Sequence, residues 1–278
     1  MAKTMAGLAR IPERKTNYQL IIKASTIFMK NIQPDPDCLR DDVILVTGAG
    51  DGIGAVAAKQ FAAFGATVVL LGRTVSKLEK VYDEIESAGC PKPAIYPLDL
   101  EGAGPGDYEQ LASVIGDKLG QLNGILHNAA MLGGLTPIRY TEAETWRRAL
   151  HVNLTAPFLL TRACLDLLKQ SNKPRIVFTT HRVSSAYWGA YAVAKAGVER
   201  LMDLLADELS DDNVPVRVNA IAPGELQSPL IARTYPGRDN TVLPDIESVM
   251  PAYVYLMSSA SQDINGKILH GNGDILNK

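Results

Sequence analysis

Residues 43–54 read Val43-Ile44-Leu45-Val46-Thr47-Gly48-Ala49-Gly50-Asp51-Gly52-Ile53-Gly54. The four aliphatic residues that open the stretch are rich in β-branched side chains, the composition of a strand buried on both faces. Residues 55–64 then repeat apolar side chains at helical spacing. A strand, a glycine turn and a helix therefore follow in the order that dinucleotide binding requires. Glycines let the backbone approach a pyrophosphate, whose charge is favoured by free amides at the helix N-terminus. Gly48, Gly50, Asp51, Gly52, Ile53 and Gly54 are the cofactor-binding candidates of this turn.

Outward from the turn, strands and helices alternate. Residues 67–71 form a second buried strand that closes on Gly72-Arg73-Thr74. A carboxylate usually stands at the end of this strand to hold a ribose 2′-hydroxyl. Here glycine takes that place, and Arg73 beside it can pair bidentately with a 2′-phosphate. This favours NADP(H), with NAD(H) left open, while Asp51 argues mildly against an extra phosphate nearby. Helices at 75–88 and 107–119 alternate with strands at 94–98 and 123–127. Asp99-Leu100 and Asn128-Ala129-Ala130 follow two strand ends, where Asp99 either meets an adenine amino group or caps a turn.

The pattern from Thr141 through Leu165 is helical, but Pro157 lies inside it. A proline has no amide for the carbonyl four residues earlier, so the helix is expected to kink and to free the Asn153 carbonyl for an ordered water. A fifth strand, 175–179, ends on Thr180, and the loop 181–189 leads into the next helix. A sixth strand, 216–221, precedes Ala222-Pro223-Gly224 and a proline-punctuated stretch, 225–244, long enough to form a lid. Residues 245–258 look helical, and 267–269 form a last short strand. Such alternation predicts one α/β domain: a doubly wound parallel sheet with helices on both faces and ligands beyond the carboxyl ends of the strands.

The helix after Thr180 carries Tyr191 and Lys195, four residues apart and hence on one face. A cation about 5 Å from a phenol, at an effective dielectric of about 20, favours the phenolate by roughly 3 kcal/mol, or about two pKa units. That would make Tyr191 usable as an acid or base on a carbonyl or alcohol.

With 278 residues, 46% of them apolar, and a net charge of −2, the chain can bury one sizeable core and implies no nucleic-acid partner. Cys38, Cys90 and Cys164 stand far apart without ligand spacing, which suggests neither a disulfide framework nor a metal site. The expected setting is reducing and cytoplasmic. Residues 1–40 read as a disordered N-terminal extension, or alternatively as an amphipathic surface anchor. Met29 is an alternative start there, and Gln33-Pro34-Asp35-Pro36-Asp37 a linker. Its apolar runs are too short to span a bilayer, and the domain itself is expected over 41–278.

The chain resembles the short-chain dehydrogenase/reductase family over roughly residues 41–273. The resemblance rests on Thr47-Gly48-x-x-x-Gly52-Ile53-Gly54, Asp99, Asn128-Ala129-Ala130, Asn153, Tyr191-x-x-x-Lys195 and Pro223-Gly224-x-x-x-Ser228, in that order. Within the family it is similar to small bacterial oxidoreductases through Leu126-His127-Asn128-Ala129 and Trp188-Gly189-Ala190-Tyr191. The resemblance implies a Rossmann fold and hydride transfer between a nicotinamide and a carbonyl or alcohol carbon. It also implies that Tyr191 is the acid/base, that Lys195 holds the nicotinamide ribose and lowers the Tyr191 pKa, and that Asn153 holds a relay water. Leu100, Pro223, Gly224 and Ser228 join the cofactor contacts, and a homodimer or homotetramer is expected.

One departure stands out. The family ends its fifth strand with a serine a dozen or slightly more residues before the tyrosine, and here Thr180 lies eleven before Tyr191. Thr180 is taken as the hydroxyl that holds the substrate oxygen, with Ser184 and Ser185 as weaker substitutes; His181 beside it either contacts substrate or, as the favoured reading, is a loop histidine without a role. A regulatory protein that keeps the cofactor site without turnover is the alternative, and an epimerase or dehydratase is disfavoured for want of a separate substrate domain.

Overall fold

The structure, a computed structural model, describes residues 34–276. The readings made for residues 1–33, Met29 among them, lie outside the described residues. Strand β1 (Val43–Thr47) is buried at every position. Its alternate side chains enter different cores, Ile44 and Val46 on one face of the sheet and Val43 and Leu45 on the other, which is why the run is aliphatic without interruption. Seven further strands are β2 (Thr67–Gly72), β3 (Ala94–Pro97), β4 (Gly124–His127), β5 (Arg175–Thr179), β6 (Arg217–Ala222), β7 (Ile268–His270) and β8 (Ile275–Leu276). They lie in the order β3-β2-β1-β4-β5-β6-β7-β8, parallel except for the antiparallel edge strand β8. The chain reverses direction across the sheet between β1 and β4, and a doubly wound sheet opens its ligand crevice at that reversal.

The helices are α1 (Gly52–Ala63), α2 (Val75–Ser87), α3 (Pro105–Leu119), α4 (Ala143–Leu150), α5 (Ala156–Lys169), α6 (Gly189–Glu208), α7 (Pro229–Thr234) and α8 (Met250–Met257). Phe61 of α1, Leu78 of α2 and Tyr253 of α8 fill one core, while Leu111 of α3, Leu160 of α5 and Met202 of α6 fill the other. Core packing already includes Leu39, which is fully buried and gives its amide to the Phe64 carbonyl at 3.0 Å. Among the described residues no helix is long and apolar enough to cross a membrane.

The expected kinked helix is two helices joined by a π-turn, His151–Thr155, in which the Ala156 amide reaches the His151 carbonyl five residues back. Pro157 has no amide to give Asn153, and the ladder widens by one residue just before it. The stretch 225–244 contains the short helix α7, started by Ser228 as its cap and Pro229 in its first turn. Neither α7 nor the two-residue β8 is long enough to show a period, so pattern alone did not reveal them.

Candidate active site

A cleft of about 640 Å³ opens beyond the carboxyl ends of the strands, within the size range of small-molecule sites. The glycine turn lines one wall. Gly48 adopts a φ of +68°, and a side chain there would press on the Ala129 backbone. Thr47 closes the neighbouring corner: its hydroxyl accepts the amides of Asn128 and Ala129 at 2.9 and 3.0 Å and donates to the Leu126 carbonyl at 3.3 Å. Asn128, Ala129 and Ala130 are thereby held against the turn and line the cleft with Gly48, Gly50, Asp51, Gly52 and Ile53. Gly54 differs from expectation. It does not line the cleft, and a Cβ there would collide with the Gly48 carbonyl, so its part is to seat α1 against the turn.

Asp51 caps α1 by accepting the Gly52 amide at 2.9 Å, and it pairs with Lys77 and, at 3.9 Å, with Arg233. Burial pushes its pKa up, but the Lys77 ammonium and the Gly52 amide outweigh this and hold it below the usual carboxylate value. The expectation that Asp51 opposes a further phosphate is therefore corrected, because its charge is already balanced. Lys77 itself lines the cleft with Arg73 and Thr74. The sequence reading missed it, although it follows Arg73 by four residues. Asp99 accepts the Glu101 amide at 3.1 Å and so caps a turn while also lining the cleft beside Leu100.

At the other end, α6 presents Tyr191 and Lys195 one turn apart, both buried. The Lys195 ammonium donates to the Thr179 carbonyl at 2.8 Å and lies 5.7 Å from the centre of the Tyr191 ring. Burial brings Lys195 down to about 8. Burial also pushes Tyr191 above its ordinary value, which corrects the expected depression. The phenol has lost water, and the ammonium is directed at a carbonyl and over the ring rather than at the phenol oxygen. Pro223, Gly224 and Ser228 complete the wall, with Ser228 accepting the Ile231 amide at 3.4 Å as the cap of α7.

These residues fit a dinucleotide. The turn keeps its backbone bare where Gly48 and Gly54 admit no side chain, cations stand at the end of β2, and a buried lysine stands at the far end. Comparison with known proteins agrees with that geometry. A family model described as short chain dehydrogenase matches residues 42–239. The chain belongs to the short-chain dehydrogenase family. The dehydrogenase is 39% identical over 237 residues to the oxidoreductase YciK of Escherichia coli (strain K12), covering 84% of this chain and 93% of that protein. A short chain dehydrogenase structure from Pseudomonas syringae shares 44% identity and a TM-score of 0.84, over 87% of this chain and 98% of that one. One from Shigella flexneri 2a, complexed with NADP, shares 38% identity and a TM-score of 0.82, over 85% and 99%. Another, from Escherichia coli CFT073 and complexed with NADPH, shares 38% and 0.82, over 86% and 99%.

In the dehydrogenase two expected catalytic side chains are engaged elsewhere. Asn153 is buried, donates to the Met131 and Ala149 carbonyls at 2.7 Å each and accepts the Met131 amide at 3.1 Å. Its side-chain amide therefore fastens the Met131 segment, which lines the cleft. Thr180 gives its hydroxyl proton to Glu199 at 3.0 Å, one turn beyond Lys195 on α6, so the hydroxyl turns into the helix instead of toward Tyr191. Ser184 and Ser185 are exposed and do not line the cleft. The side chain that reaches the Tyr191 hydroxyl is His181, whose Nδ1 lies 3.4 Å from it. His181 is therefore not an isolated loop side chain.

Proposed function

We propose that the dehydrogenase transfers a hydride between NADP(H) and a carbonyl or alcohol carbon of a small molecule. The observation that carries this is the single cleft that runs from Arg73 and Lys77 past the bare glycine turn to Tyr191 and Lys195. The NADP and NADPH complexes of two similar dehydrogenases support the choice of cofactor. When bound, the nicotinamide supplies or takes the hydride.

The chain's own residues do the rest. Amides of the glycine turn and α1 would hold the pyrophosphate, Arg73 and Lys77 would hold the 2′-phosphate, and Lys195 would donate to the nicotinamide ribose. Tyr191, a phenol, carries its proton at neutral pH and is placed to give it to a carbonyl oxygen during reduction. Met131, Leu132, Val152, Leu226 and Leu230 also line the cleft, which supports a carbonyl compound with an apolar body as the substrate. Exposed apolar side chains on α5 and α6, Phe158, Val193 and Leu204, support a second copy of the chain packing against these helices.

A panel of aldehydes, ketones and quinones, followed by NADPH absorbance, tests the reading. Turnover of one member supports it, and tight NADPH binding without any turnover favours a silent cofactor binder. The cofactor choice has its own test in calorimetry on Arg73→Ala. Loss of one charge-assisted contact should cost about 1.5 to 3 kcal/mol of NADPH affinity, while NADH binding stays as it was. Unchanged NADPH affinity would remove Arg73 from the phosphate site.

A further inference from the structure

Between β5 and α6 the chain spends only residues 180–188. The segment is tight: Tyr187 takes a φ of 78°, a costly value for a bulky residue, and its carbonyl accepts the Thr136 amide at 3.1 Å. Two contacts anchor the start of the segment. The Thr180 hydroxyl and the Arg182 guanidinium both bond Glu199, at 3.0 and 3.2 Å. Residues 180 and 182 are thus drawn to α6, and His181 between them lines the cleft. Its ring meets Trp188 and Tyr191 edge to face, with centroids 5.2 and 5.9 Å away.

We propose that His181 is a second catalytic side chain of this site, meeting the substrate oxygen together with Tyr191 in the place that a fifth-strand hydroxyl was expected to fill. The inference rests on the hydride-transfer reading above. A separation of 3.4 Å between Nδ1 and the phenol oxygen is at the outer edge of hydrogen-bond range, so a carbonyl oxygen can enter and accept from both groups. A neutral imidazole carries one N–H to give. Burial and then the Lys195 ammonium lower the His181 pKa from its ordinary value, opposed by Glu225 from the loop after β6, and the ring is neutral at pH 7.

In reduction the carbonyl π bond breaks as the carbon gains the hydride and the oxygen gains the Tyr191 proton. His181 holds the same oxygen by its N–H throughout and does not change its protonation. The phenolate left on Tyr191 recovers a proton from water.

His181→Phe keeps a ring in the aromatic cluster and removes both nitrogens, while His181→Gln returns a donor. With a carbonyl that the parent reduces, His181→Phe should lower kcat by roughly 10²-fold, the usual worth of a donor aimed at a developing oxyanion. NADPH affinity should be retained, and His181→Gln should recover part of the rate. A second readout needs no turnover: in protein labelled with ¹⁵N histidine, Tyr191→Phe should shift the ring resonance of His181, identified by its loss in His181→Phe. If His181→Phe keeps the parent rate while Tyr191→Phe is silent, this inference is overturned and the hydride-transfer reading stands. A His181 resonance unmoved by Tyr191→Phe overturns the pairing. A Tyr191→Phe variant that works at the parent rate overturns the hydride-transfer mechanism and this inference with it.

Discussion

Tyr191→Phe is expected to slow carbonyl reduction by about 10² to 10⁴-fold, the range of a positioned general acid, and to leave NADPH affinity as in the parent. The substitution removes one hydroxyl from a side chain that is almost wholly buried, so the ring keeps its place against Trp188 and His181. The cofactor contacts assigned to the glycine turn, Arg73 and Lys195 do not involve that hydroxyl. A phenol is protonated at neutral pH, so Tyr191 starts as a proton donor. Single-turnover rates and cofactor titrations on the two proteins separate these effects. An unaltered rate would exclude Tyr191 as the acid, and a matching loss of NADPH affinity would show a binding role.

Lys195→Met should have opposite effects on stability with and without cofactor. The ammonium is buried and its pKa is brought down to about 8 from an ordinary 10.5, so the folded state disfavours its charge. At about 1.4 kcal/mol per unit this amounts to roughly 3 kcal/mol. The unfolded chain binds the extra proton between pH 8 and 10.5. The penalty is therefore fully present below about pH 8 and is relieved as pH rises through that interval. Methionine removes the penalty but leaves the Thr179 carbonyl without its donor, a loss of about 1 to 3 kcal/mol. A net gain of about 1 kcal/mol is expected at pH 7, which in a domain of this size is roughly 2 to 4 °C in Tm.

With NADPH present the order should reverse, since saturation at about 100 times Kd adds about 2.7 kcal/mol to a chain that binds it and the variant has lost the group assigned to the ribose. Thermal melts at pH 7, with and without NADPH, check both halves. A variant that melts below the parent without cofactor would contradict the buried-charge argument. One that gains as much from NADPH as the parent would remove Lys195 from the cofactor site.

The parts of the dehydrogenase legible in sequence are those that obey a local period. Val43 to Val46 had to be a doubly buried strand, and Tyr191 and Lys195 had to share a helix face. The glycine turn stood between strand and helix as its chemistry demands. What escaped was set by contacts distant in sequence. Thr180 loses its hydroxyl to Glu199, nineteen residues on. The signal was present in part, because Tyr191, Lys195 and Glu199 follow each other at steps of four along one face of α6. The sign of the Tyr191 shift depends on how much water the fold removes, which no spacing reveals. Gly54 belonged to the motif, but its work is packing against Gly48. Lys77 was readable as a second cation four residues beyond Arg73, and Asp51 looked opposed to phosphate only because its partner was not in view.

The central claim is that hydride passes directly between NADPH and a carbonyl carbon within this cleft. Its most direct test is to reduce a responsive carbonyl with NADPH deuterated at the transferring carbon and to analyse the alcohol by mass spectrometry. One deuterium on the former carbonyl carbon, in an alcohol that forms far more slowly once Tyr191→Phe replaces the parent, is the expected result. An alcohol formed without deuterium, or NADPH oxidised with the carbonyl left intact, would contradict it.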